Sequence, residues 1–193
     1  MIRRKIFKDL LNHLQEPEIT LITGPRQVGK TTLMRQMADQ LAADGNPSLF
    51  LQLDNEADFR IMRTQASLIE RIRNESGNRK ITVFIDEIQL KDNAGLFMKG
   101  LYDMNLPVKF ILSGSGSMEL RASIQESMAG RKRVFEVMPV SFFEFADFRS
   151  GYAYTSHLDS FLMNDIPGGL GLLNEYLNFG GYPRVIMAPT LQE

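Results

Sequence analysis

Residues Gly24 to Thr31 read GPRQVGKT, and they follow directly on the apolar run Ile19–Thr23. Two glycines bracket four residues, and a lysine and a threonine close the stretch. Glycine permits backbone conformations that turn successive N–H groups inward, so a loop of this kind forms a concave nest for anionic oxygens. A helix beginning near Lys30 would add its own unpaired N–H groups and the positive end of its dipole. Lys30 then offers a mobile charge for β- and γ-phosphates, and the Thr31 hydroxyl is a ligand for Mg²⁺. Gly24-x-x-x-x-Gly29-Lys30-Thr31 is the complete Walker A pattern, with Pro25, Arg26, Gln27 and Val28 as the loop interior. Thr32 is placed to reach an α-phosphate.

A second constellation stands at Asp86 and Glu87, in the stretch ITVFIDEIQ. A central buried strand ends in apolar residues or a turn, and two adjacent carboxylates at its C-terminal end need another reason. In a doubly wound sheet that edge is where ligands bind. Asp86 is suited to hold Mg²⁺ through a water, and Glu87 to polarise an attacking water. A solvated acidic turn capping the next helix is the plainer alternative.

These groups need a scaffold, and the hydropathy pattern supplies one. The spacing of Ile2, Ile6, Phe7, Leu10, Leu11 and Leu14 predicts an amphipathic helix over residues 2–15. Its charges Arg3, Arg4 and Lys5 read as a solvated face, with contact to phosphates or lipid as the alternative. EITLIT, SLFLQLD, ITVFID, VKFILS and KRVFEVMPV read as five strands. Helical periodicity lies between them, in KTTLMRQMADQLAADG, in one polar stretch from Glu56 to Asn74, in AGLFMKGLYDM and in SMELRASIQESMAG. Strands alternating with helices imply right-handed crossovers and a doubly wound parallel α/β sheet. After Pro139 the composition changes. SFFEFADF, read as the core side of a small helical lid, and the glycine-rich PGGLGLLNEYLNFGGYPRVI divide the chain into a core at 1–140 and a lid at 141–193.

Composition narrows the possibilities further. The 193 residues carry a net charge of −1, so no overall field recruits nucleic acid or an anionic membrane. There is no cysteine and there are two histidines, which removes disulfides, thiolate metal sites and a zinc centre from consideration. No segment has the length and hydropathy of a membrane span. A cytoplasmic protein without a membrane partner is expected.

LITGPRQVGKTTLMRQ, VFIDEIQ, FILSGSGS, ESMAGRKRVFEVMPVSFFEF and FGGYPRVI together resemble one group of bacterial and archaeal ATPases on the AAA+ and STAND side of the P-loop class. The resemblance runs from about Arg3 to Ile186. It implies ATP as the nucleotide, a sheet of order 5-1-4-3-2, and Glu87 as the base that follows the Asp86 metal residue. It places Ser113 like the polar sensor-one residue of AAA+ ATPases, with Ser115 as the second choice. It makes Arg131 the arginine that senses the γ-phosphate in cis or from a neighbouring subunit of a homo-oligomer, with Arg133 and Arg121 as competitors. A surface basic cluster or a salt bridge to Glu126 or Glu136 is the alternative. It also likens Gly180, Gly181, Tyr182 and Pro183 to the turn that covers adenine, a helix-ending turn being the alternative. Members of the group continue into a C-terminal domain, so this chain is expected to be a fragment whose protein or DNA partner binds elsewhere. Asp54 and Glu56 are further candidates for the Mg²⁺ shell, although a helix N-cap explains Asp54 as well.

Three functions follow: an Mg²⁺-dependent ATPase that drives a lid or inter-subunit movement, a nucleotide-gated switch that rarely hydrolyses, and a small-molecule kinase. Glu87, at a water-activating position, speaks against the third.

Overall fold

A computed structural model of the chain describes residues 1–77, 79–115 and 127–188. Five strands, β1 (Ile19–Thr23), β2 (Ser48–Gln52), β3 (Ile81–Asp86), β4 (Val108–Ser113) and β5 (Lys132–Glu136), form one sheet of order β2-β3-β4-β1-β5. All four pairings are parallel, and the order is the expected one read from the other edge. The central β1 and β3 are buried on every residue, whereas the edge strands β2 and β5 are buried only in part. Parallel strands covered on both faces read as continuous apolar runs for this reason.

Helices cover both faces. One side of the sheet packs Leu21, Val83, Ile85, Phe110 and Leu112 against α4 (Gln65–Ser76) and α5 (Ala94–Asp103). The other packs Ile22, Phe84 and Ile111 against α1 (Ile6–Asn12) and α2 (Lys30–Ala43). Adjacent residues Leu21 and Ile22 go to opposite faces, the alternation that a strand dictates. A third cluster gathers Ile2, Val140, Phe145 and Ile186, with Phe142, Phe148, Leu172 and Tyr176 packed on it. This is the helical appendage, made of α6 (Phe142–Arg149), α7 (Leu158–Asn164), α8 (Ile166–Phe179) and α9 (Pro183–Ile186). The aromatic stretch SFFEFADF is mostly the inner side of that appendage, with only Phe143 among its phenylalanines exposed.

Three expectations change. The polar stretch from Glu56 is two helices, α3 (Glu56–Ile61) and α4, because two caps compete with continuity: Asn55 accepts from the N–H groups of Ala57 and Asp58, and Thr64 from that of Ser67. The N-terminal helix starts at Ile6, and Ile2 leaves its stripe to join the appendage core. Arg4, read as part of a solvated face, has a side chain only 8% exposed. The helix expected over SMELRASIQESMAG falls largely at 117–126, outside the described residues, and Arg121 and Glu126 lie there too. Among the described residues no helix is long and apolar enough to cross a membrane.

Candidate functional site

β1 delivers Gly24 to the C-terminal edge of the sheet, between β4 and β5. Gly24 adopts φ 141°, and a Cβ there would lie 2.1 Å from the carbonyl oxygen of Val137, so no side chain fits. Gln27 (φ 63°) and Gly29 (φ 97°) complete the left-handed turns of the loop. Gly29 caps α2 without any side-chain hydrogen bond, which leaves the first N–H groups of a 14-residue helix to the loop's concave side. Lys30 is 7% exposed, and its Nζ donates to the carbonyls of Gly24 (3.0 Å) and Pro25 (2.7 Å). Burial holds its pKa below the ordinary lysine value, while the nearby carboxylates of Glu87 and Asp86 pull it back up.

Asp86 ends β3 almost fully buried. The Thr31 hydroxyl donates to its Oδ2 at 2.6 Å, the Ser113 hydroxyl donates to its Oδ1, and the Glu87 N–H donates to Oδ1 at 3.2 Å. These bonds join β3, β4 and α2 at one carboxylate. Glu87 sits at φ 57°, a left-handed conformation at the start of the 3-10 turn Ile88–Leu90. The Gln89 side-chain amide donates to the Glu87 carboxylate, and Gln89 Oε1 accepts from the Ser115 N–H at 3.1 Å. Non-glycine residues in this backbone region are uncommon and cluster at functional sites.

A cavity of about 1050 Å³ opens over this edge. Arg26, Gln27, Gly29, Lys30, Thr31 and Thr32 form its floor, Asp54, Glu87, Gln89 and Ser115 one wall, and Phe179, Pro183, Arg184 and Val185 of the appendage its roof. Among the described residues no group of three or more His, Asp or Glu could hold a metal by itself. The donors present, one hydroxyl and one carboxylate, suit Mg²⁺, which is held by one or two protein oxygens together with phosphates and water.

The structure thus brings Lys30, Thr31, Thr32, Asp86, Glu87 and Asp54 together. Ser113 stands behind Asp86, and Ser115 reaches the cavity wall. Val28 turns its side chain into the core, so only its main chain belongs to the loop surface. Tyr182 is exposed and does not line the cavity, whereas Pro183 does, close over Gly29. Arg131 lies at the opposite edge. Its carbonyl accepts from the Ile19 N–H at the start of β1, and its guanidinium pairs with Asp103 at 2.8 Å. The five residues of β1, about 17 Å of strand, separate it from the loop, which removes a role within the same subunit. Arg133, on β5, stacks over the Phe135 ring instead. Sequence reasoning missed Gln89 and Arg184. Arg184 follows the Gly180–Pro183 turn directly, and that adjacency was the available signal.

The family described as AAA domain matches residues 16–146. The chain belongs to the AAA domain family. As the fold also shows, it is a P-loop NTPase of the AAA class. This AAA domain is 27% identical over 182 residues to an uncharacterized protein of Methanocaldococcus jannaschii, covering 94% of the chain and 39% of that protein. It is 30% identical over 136 residues to an uncharacterized protein of Mycobacterium tuberculosis, covering 70% of the chain and 28% of the relative. The chain therefore spans between a quarter and two fifths of the curated relatives it matches. Among solved structures it is similar to the replication initiator DnaA bound to AMPPCP and single-stranded DNA, with TM-score 0.53, 15% identity, and 90% and 63% of the two chains covered. AMPPCP-bound DnaA from Aquifex aeolicus gives TM-score 0.51 at 15% identity, with 88% and 59% covered. At such identity the likeness concerns the fold.

Proposed function

We propose that this AAA domain binds ATP with Mg²⁺ and hydrolyses it, the core at 1–140 providing the chemistry and the helices at 141–193 responding as a lid. The observation that carries this reading is the 2.6 Å bond from the Thr31 hydroxyl to a buried Asp86, beside Lys30 and Glu87 on one cavity. The AMPPCP-bound DnaA structures, similar in fold, support ATP as the nucleotide.

In this reading the loop N–H groups and Lys30 hold the β- and γ-phosphates. Lys30 gives up its bonds to the Gly24 and Pro25 carbonyls for phosphate oxygens, an exchange favoured by charge. Thr31 and Asp86 hold Mg²⁺, which when bound draws charge from the phosphate oxygens. Glu87 accepts the proton of the attacking water, and Gln89 fixes where its carboxylate points. Ser113 acts through Asp86, and Ser115 faces the reacting region. Arg184 adds a positive charge from the roof, and Arg131 would have to act on a neighbouring subunit.

Glu87→Gln tests the chemistry. It should leave the affinity for MgATP within about twofold and lower phosphate release at least 100-fold, in the range general-base removal produces. Retained turnover removes Glu87 from the mechanism. The second reading, a nucleotide-gated switch with little hydrolysis, is favoured by the position of Arg131 away from the cavity of its own subunit. Turnover per protomer that rises with protein concentration supports the engine, and slow, concentration-independent turnover supports the switch.

A further inference from the structure

The N-terminal arginine expected to face solvent, Arg4, is buried and bonded to three separate segments of the chain, one of them the Walker A loop. Arg4 Nη1 donates to the carbonyl of Val28, inside the Walker A loop, at 2.9 Å. Its Nη2 donates to the carbonyl of Met138 at 2.6 Å, in the strip that leads from β5 to α6. Its Nε pairs with Glu144 Oε1 at 3.3 Å, and the two side chains are 8% and 7% exposed. One planar group therefore touches the phosphate loop, the hinge strip and the first helix of the appendage.

Glu144 is held as firmly. Its Oε1 accepts from the Lys5 N–H at 2.8 Å, and its Oε2 accepts from the Ser141 N–H at 2.9 Å, closing a capping box at the start of α6. A buried ion pair contributes little net stability unless its remaining donors and acceptors are satisfied, as they are here. Loss of one partner leaves a buried charge alone. Such an arrangement fixes geometry more than it adds stability.

The bonds around Arg4 close a circuit. Gly24 is pressed on the Val137 carbonyl, and Gly181 is pressed on that of Val140, where a Cβ would come within 2.4 Å. The Val140 N–H donates to the Gly181 carbonyl at 2.7 Å, and Pro183 then reaches over Gly29. Loop, strip and roof are thus linked by a closed series of contacts, and Arg4 bridges the loop and the strip.

We propose that Arg4 is a positioning residue of the nucleotide site: it straps the Walker A loop to the base of the lid through Val28, Met138 and Glu144, so that loop shape and lid placement are set together. The strap stands on geometry alone. Its consequence for nucleotide rests on the reading of the cavity as an ATP site.

The chain has no cysteine, so Gln40→Cys on α2 and Leu177→Cys on α8, both exposed, can carry a pair of labels. In that background Arg4→Met, Arg4→Lys, Glu144→Gln and the Arg4→Met/Glu144→Gln double variant are compared for label separation without nucleotide, for its change on adding MgATP, and for MgATP affinity by calorimetry. Arg4→Met should broaden the separation in the free protein, suppress the MgATP-induced change and weaken MgATP at least tenfold. Arg4→Lys, which keeps the charge and loses the fork, should fall between, and the double variant should be no worse than the worse single one. An ordinary structural contact would lower the melting temperature and leave separation and affinity of the folded protein unchanged; that result, or additive single effects, overturns the proposal. If Arg4→Met does not fold, Arg4→Lys decides by the same readings. If wild type takes up no MgATP, the ATP reading fails separately, and an unchanged free-protein separation in Arg4→Lys still sinks the strap.

Discussion

Two buried lysines lie at opposite ends of the sheet and invite comparison. Lys30, at the C-terminal edge, donates to two loop carbonyls and borders the large cavity with Glu87. Lys109, at the N-terminal edge, is 3% exposed and donates to the carbonyls of Glu16 (2.9 Å) and Glu18 (2.5 Å), with His13 Nδ1 at 3.3 Å. Burial lowers both pKa values, that of Lys109 to about 8. The difference is what each can reach. Both have carboxylates nearby, Glu87 and Asp86 for Lys30 and Glu18 and Glu16 for Lys109. Lys109 borders a smaller cavity of about 270 Å³, but Lys30 faces the volume of about 1050 Å³ that it shares with Thr31 and Glu87. Lys109 ties down the turn that feeds β1, and the Thr20 hydroxyl meets His13 Nδ1 at 2.8 Å beside it. Burial and a lowered pKa do not by themselves mark a site; an approachable partner does.

Substitution should separate the two ends. The largest effect is expected from the lysines themselves. Lys30→Ala should weaken MgATP at least 100-fold with little change in denaturation midpoint, whereas Lys109→Ala should leave binding intact and cost about 2 kcal/mol of stability by orphaning two buried carbonyls. Equal effects at both ends would erase the distinction. Next come the hydroxyls. Ser113→Ala, which frees Asp86, should slow turnover about tenfold, while Thr20→Val should cost about 1 kcal/mol in denaturant titration and nothing in turnover. The smallest effect is a slope. A folded lysine pKa of about 8 against an ordinary 10.5 means that the folded state binds fewer protons in that interval. The Lys109 contribution to stability should therefore rise as pH is raised from about 8 to 10.5, and the gap between wild type and Lys109→Ala should widen. A gap that stays constant or narrows would mean that the folded lysine keeps its charge across that interval.

Much of the candidate site was legible because its residues are local in sequence. Gly24 to Thr31 is one contiguous loop, and Asp86 and Glu87 are neighbours on one strand end. The sheet order needed the family resemblance, since periodicity carries no lateral information. Arg4 was unreadable because a charge near the N-terminus looks alike whether it meets water or carbonyls 24 and 134 residues away. Arg131 differs in the reverse direction, losing only the role within its own subunit. Its motif suggested a γ-phosphate contact, but a residue that enters β5 must begin at the edge of the sheet opposite the loop. The split between α3 and α4 was hidden because caps are decided by one side chain each, and Thr64 is unremarkable in a polar stretch.

The strip from Val137 to Val140 is clasped by a glycine at each end and has no slack. A side chain at either glycine would have to displace that strip or the sheet beside it. What the molecule conserves mechanically is therefore a length of main chain. Side chains on the outer helices carry no such constraint, and in the proposed reading any movement passed from the cavity to the lid would run through these four residues.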